Sequence, residues 1–264
     1  NYGALTAPRF DFAVQVSGPL VSQASDTMDK LWQRMQVVSD IGQRHLSGAL
    51  RALHAASVAR RAARQAPTGR MRALLVLRDN VRNRSRIEKS YLRAVGFARE
   101  EIIIANAYFV PGRKLRRALV LAAQRGVRVR LLLQGRYEYF MQYHAARPVY
   151  GALLAAGVEI HEYAPSFLHA KVAVIDALAP RPWATVGSSN LDPLSLLLAR
   201  EANVVIEDAP FAQALRQCLV QAMDSAGQML DPARYAQRPW RKRLLDRVAF
   251  GIMRAALWVA GKKY

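Results

Sequence analysis

The chain has 264 residues, 52% of them hydrophobic, and sets 39 Lys+Arg against 19 Asp+Glu for a formal net charge of +20. That apolar content fills a core and excludes global disorder, while the charge points to a polyanion, either nucleic acid or an anionic membrane surface. The single cysteine, Cys218, excludes an internal disulfide framework; a reducing compartment follows, and its apolar helical surroundings predict a buried, inert thiol.

The chain opens on Asn1-Tyr2-Gly3 without an initiator Met and reads as the middle of something longer. Residues 9–16 alternate apolar and polar, which predicts a strand with Phe10, Phe12, Val14 and Val16 on one face. Gly18-Pro19 breaks it, and a helix is expected to about Met35. Residues 38–70 carry Arg44, Arg51, Arg60, Arg61, Arg64 and Arg70 with little acid among them, as a basic connector would. From Met71 onward strands and helices alternate. MRALLVL is a strand, Arg86 to about Ala98 a helix, and EIIIANAYF a strand apolar enough to be buried on both faces. Pro111-Gly112 opens a helix capped near Gly126. VRVRLLLQ is a strand, a helix is expected near Pro148–Ala156, and VEIHEY, HAKVAVID, WATVG and EANVVIE are strands. A helix from Pro210 to about Met223 follows. The pattern is α/β, a mixed sheet with helices on both faces.

Aligning Asp11 with Glu201 lays DFAVQVSGPLV over EANVVIEDAPF. Each segment starts with a carboxylate and has apolar residues three and five positions later. The second copy follows a block rich in reactive residues, and the first follows nothing of the kind. Residues 1–37 therefore read as the tail end of a preceding similar domain, 38–70 as the connector, 71–228 as the second domain and 229–264 as a basic tail.

The reactive block is His169-Ala170-Lys171 through Asp176, then Gly187-Ser188-Ser189-Asn190, then Glu201. His169 and Lys171, two apart on a strand, project to one face. An imidazole beside an ammonium suits attack on a phosphodiester. The ammonium neutralises nonbridging oxygens, and the imidazole acts as nucleophile or as proton donor to the leaving oxygen. Ser188 and Asn190 add uncharged donors for the same oxygens. Glu201 is expected to accept a hydrogen bond from a histidine ring and fix its tautomer. Asn106 and Tyr108 end a buried strand where ligands sit in α/β folds, so they are candidates for a headgroup cleft.

HAKVAVID and GSSNLDP resemble the HKD motif of the phospholipase D superfamily, and the wider string from IIIANAYFVPG to EANVVI is similar to the C-terminal half of bacterial cardiolipin synthases. The resemblance implies two half-sites from two similar domains meeting at one cleft. One histidine becomes a phosphohistidine, and the other is general acid and then base, the place that falls to His169. Lys171 and Asn190 then bind phosphate, Asp176 is structural, and Asp11 supports the histidine of the first motif. Two features depart from the pattern. The segment between Asp176 and Gly187 is long, and no second H-x-K-x4-D occurs in the 264 residues. The first half-site is expected upstream, in a longer chain.

The tail RPWRKRLLDRVAFGIMRAALWVAGKKY, with Trp240 and Trp258 near its ends, reads as an amphipathic helix. It either lies in a membrane interface or docks on the domain. The implied activity is phosphatidyl transfer, making cardiolipin from phosphatidylglycerol or a related donor, at the cytoplasmic side of a bacterial inner membrane. Anionic phospholipids and the membrane surface are the implied partners, and no cofactor or metal is called for, because lysines do the electrostatic work. Two other readings stand beside it. One is a phospholipase D-type hydrolase or nuclease, although the tail's Leu, Val and Trp have little use on nucleic acid. The other is a non-catalytic module that binds anionic membranes.

Overall fold

A computed structural model describes residues 7–42, 71–79, 83–192 and 199–259. The chain divides into two units, residues 14–75 and the combination of 1–13 with 76–264. In the first, helix α1 (Pro19–Gly42) exposes Met28, Trp32 and Met35. The arginines expected in a connector, Arg44 to Arg70, lie outside the described residues.

The second unit is built on a mixed sheet of described strands in the order β1-β7-β6-β5-β2-β3-β4-β8, of which β1 belongs to this unit from Val76 on. In chain order these are β1 (Arg72–Arg78), β2 (Glu101–Asn106), β3 (Arg128–Gln134), β4 (Glu159–Tyr163), β5 (Lys171–Ile175), β6 (Trp183–Gly187), β7 (Glu201–Glu207) and β8 (Gly227–Met229). β2, β3 and β4 run parallel, while β5 pairs antiparallel with β2, β6 with β5 and β7 with β6. The central strands hold Ile102, Ile103, Ile104, Leu131, Leu132 and Leu133 fully buried, as near-continuous apolar runs require when both sheet faces are covered.

Helices α2 (Arg86–Phe97), α3 (Arg113–Gln124) and α4 (Phe140–Leu154) cover one face, with Tyr91, Leu115 and Leu153 meeting Ile102, Ile104 and Leu131 in one core. Helix α5 (Ala209–Ala226) contacts β2, β4, β5, β6 and β7 and covers the other. Arg216 on α5 reaches Glu101 at 2.6 Å, and Arg130 meets the same carboxylate at 2.6 Å, so the helix is tied to the sheet through a shared acid. A short α6 (Pro232–Ala236) and a final α7 (Trp240–Val259) complete the unit.

Several expectations are corrected. Residues 9–16 keep the alternation of half-buried Phe10, Phe12, Val14 and Val16, but among the described residues they form a single bridge, Phe10 with Leu168, and no strand beside them continues the ladder. Helix α4 starts at Phe140, eight residues before the Pro148 expected to open it. The packing of α4 against α7 carries the helix through a proline that costs one backbone donor. Cys218 is exposed, since α5 buries the stripe Ala212, Leu215, Leu219 and Ala222 and Cys218 falls one position off it. The tail does form a helix, and one side of it docks on α4.

Candidate active site

One row across the sheet organises the site. Lys171 begins β5 opposite Asn106, the last residue of β2. On its other side the β5–β6 register, Val172 with Val186, puts Gly187 one step further on, and Gly187 pairs with Asn203 of β7. Paired residues share a face, so Asn203, Lys171 and Asn106 project together. Gly187 is required here: a Cβ would collide with the Asn203 side chain and lie 2.7 Å from the Ala202 carbonyl.

His169 stands just before this row. Its backbone N–H donates to Phe10 O at 2.9 Å, and Phe10 N–H returns to Phe167 O at 2.9 Å. That pairing carries Asp11 over the imidazole, with Nδ1 to Oδ2 at 2.7 Å. A carboxylate only accepts, so the neutral ring holds its proton on Nδ1 and presents the Nε2 lone pair. The two side chains are 42% and 48% exposed, which leaves the ring open to a substrate.

Lys171 is 6% exposed, and its Nζ donates to the His169 carbonyl at 2.6 Å, leaving two further donors. Burial lowers its pKa to about 8, against the opposing pull of Asp11 and Glu201. The amine therefore sits at the edge of its charged state and gains from any anion placed on it.

Glu201 does not bond to His169. Its carboxylate receives the Ser188 hydroxyl, and that hydroxyl in turn accepts from Ala202 N at 3.1 Å. Burial raises the Glu201 pKa, while Ser188 and Arg78 pull it down. Asp11, expected to serve the first motif's histidine, instead meets His169, and Glu201, expected to accept from a histidine, receives the Ser188 hydroxyl. Ser188, expected to donate to phosphate, directs its proton to Glu201.

Asn190 has its amide oxygen buried without a partner among the described residues. The loop that carries it is fastened to β2: Asn106 Oδ1 accepts Leu191 N at 3.0 Å, and Val110 N donates to Leu191 O at 2.9 Å. Asn106 is wholly buried and so lines no open cleft; it holds the loop. Tyr108 is half-buried, donates to Glu138 at 2.6 Å, and lines a pocket with Gln134, Arg136, Tyr139 and Tyr143. Asp176 takes backbone N–H groups of Arg99, Glu100 and Glu101 at 2.9–3.0 Å, at the far end of β5 from Lys171. It adopts φ +50°, a conformation Asp tolerates through local hydrogen bonding.

Three contributors escaped sequence reasoning. Gln134 accepts Leu168 N at 3.2 Å and braces the approach to His169. Glu138 fixes Tyr108. Arg78, buried at the end of β1, donates to the Ala199 carbonyl and biases Glu201 toward its anion. Only Gln134 carried a signal, as a polar residue closing an apolar parallel strand.

The family profile described as cardiolipin synthase, PLD-like domain, matches residues 91–223. The chain is 44% identical over 186 residues to cardiolipin synthase B of Escherichia coli (strain K12), covering 70% of this chain and 44% of that protein. It therefore spans less than half the length of this relative. Among solved structures, phosphatidylserine synthase of Haemophilus influenzae Rd KW20 superposes with a TM-score of 0.54 at 13% identity, over 80% of this chain and 54% of that one. The phospholipase D family member Nuc of Salmonella typhimurium does so with a TM-score of 0.50 at 18% identity, over 61% and 98%. At such identities the likeness is one of fold.

Proposed function

The chain belongs to the cardiolipin synthase family of phospholipase D-like domains, and on that premise we propose that it supplies one half-site of a phosphatidyl transferase. A histidine of the reciprocal half-site attacks the phosphorus of phosphatidylglycerol or a related donor. His169, protonated on Nε2, gives that proton to the departing alcohol oxygen as the P–O bond breaks and the P–N bond forms. The same Nε2 then takes the proton of an incoming phosphatidylglycerol hydroxyl, whose oxygen displaces the histidine and yields cardiolipin. Lys171 and Asn190 meet the nonbridging oxygens as charge accumulates.

The observation that carries this reading is the Asp11–His169 hydrogen bond beside the buried Lys171. Asp11 and Glu201 hold equivalent places in the internal repeat. Since Asp11 serves the histidine of the other repeat, Glu201, oriented by Ser188, is the natural support for the reciprocal histidine. The 264 residues contain no second H-x-K-x4-D, so that histidine comes from another segment or another chain.

Phospholipid substrates call for a bacterial membrane; the proposed setting is a peripheral protein on its cytoplasmic face, with anionic phospholipids as its partners. Among the described residues no helix is long and apolar enough to cross a bilayer. The test is phosphatidylglycerol in vesicles given to a preparation holding both half-sites. Cardiolipin formation dependent on His169 supports transfer to a lipid hydroxyl. Phosphatidic acid alone would make water the acceptor, and cleavage of DNA without lipid turnover would sink the reading.

A further inference from the structure

Helix α7 has its packing already satisfied by one side. Asp246, Ala249, Phe250, Met253 and Leu257, spaced at 3, 4, 7 and 11, face α4. Asp246 is the anchor, 3% exposed, meeting His144 Nδ1 at 2.7 Å and Arg238 at 3.0 Å. The opposite side of a docked surface helix is ordinarily polar. Here it holds Leu244, Val248 and Ile252 at four-residue spacing, each about half exposed, with Trp240 and Trp258 toward the ends at 66% and 77% exposed. A helix of about 30 Å with two apolar faces has a second surface to bury.

The charges beside that second face say what covers it. Arg243, Arg247 and Arg254 fall, at about 100° per residue, within one narrow flank of the outer stripe. Among the described residues none of them forms an ion pair. Arg243 and Arg247 also line a recess with Pro148, Gly151 and Tyr235, whose other arginines are already matched, Arg147 by Glu162 and Arg238 by Asp246. We infer that the outer face of α7 lies in the interface of an anionic bilayer, with Leu244, Val248 and Ile252 below the headgroups and Arg243 and Arg247 seating a lipid phosphate in the recess. The apolar stripe has no use against nucleic acid, and a second copy would set one arginine row against another. Docking and membrane contact are thus two faces of one helix. Such a surface deepens the function proposed above and rests on it.

Sedimentation of the chain with vesicles, measured without turnover, tests this. The chain should sediment with phosphatidylglycerol vesicles and not with phosphatidylcholine vesicles, and bromine-labelled acyl chains should quench tryptophan emission. Val248→Ser with Ile252→Ser should lower partitioning at least tenfold. Where that variant melts early, Arg243→Glu with Arg247→Glu, on the solvent-exposed flank, should give a similar loss in a protein with unchanged melting. Failure of the chain to bind anionic vesicles, binding to duplex DNA in their place, or unchanged partitioning in both folded variants would overturn the inference. Retained sedimentation with no cardiolipin formed would count against the proposed reaction and not against this surface.

Discussion

Asp11 and His169 stand 158 positions apart in sequence, and Asp11 Oδ2 lies 2.7 Å from His169 Nδ1. The contact is held by a two-bond backbone pairing between Phe10 and residues 167–169, so the carboxylate is placed by main chain as well as by its own rotamer. With a carboxylate accepting at Nδ1, the neutral ring keeps its proton there and leaves Nε2 free.

Asp11→Asn preserves the shape and removes the charge, and its amide can donate to the wrong tautomer. Transfer should fall by about 10²–10⁴-fold, mostly in kcat, with the melting temperature unchanged. Steady-state kinetics beside a thermal melt checks this; a loss confined to KM would argue against a tautomer-setting role.

Lys171 gives a pH signature. With its pKa at about 8, kcat/KM should decline above that pH as the ammonium is lost, and bound phosphate should move the limb upward in kcat. Lys171→Arg, which stays charged, should remove the limb while lowering activity. Stability moves the other way. The folded amine releases its proton near pH 8 and an unfolded one near 10.5, so the unfolded state binds more protons in that window and this group makes the fold more stable as pH rises through it. Denaturant titrations across the window read the sign.

Asp176→Ala leaves three backbone N–H groups at the start of β2 without an acceptor and places Ala at φ +50°. A loss of about 3 kcal/mol is expected. Asp176→Asn keeps one amide oxygen and tolerates the backbone, so it should lose about 1 kcal/mol. Chemical denaturation measures both, and equal losses would mean the carboxylate is not the joint.

Asp246→Ala leaves His144 and Arg238 facing a buried gap, a change worth about 3 kcal/mol. Hydrogen exchange should rise along Trp240–Val259 and the facing part of α4, with β2 and β5 still protected. Uniform exchange across the whole unit would show that α7 is not a separable element.

What the sequence disclosed follows from the range of the forces involved. β2 and β5 were legible because an unbroken run such as EIIIAN has no alternative to a strand buried on both faces. His169, Lys171 and Asn190 were legible because their spacing is local. The partner of His169 was not. Asp11 and Glu201 are both carboxylates that open aligned segments of the sequence, and nothing local tells which of them a fold brings to the ring; here it is Asp11. The start of α4 was hidden for another reason. Tyr139 makes no side-chain cap bond, so nothing local marks it, and the helix is completed by the surface of α7. Cys218 shows the limit of composition, since an apolar neighbourhood does not reveal which residue falls on the inward stripe.

The role proposed for His169 is to move protons in phosphatidyl transfer. The direct measurement is cardiolipin formed from labelled phosphatidylglycerol vesicles by a preparation holding both half-sites, with and without His169→Ala, and vesicle binding followed in parallel. Cardiolipin is expected with the intact histidine, a loss of about 10³-fold or more without it, and equal vesicle binding in both. Undiminished cardiolipin formation by the His169→Ala protein would contradict that role.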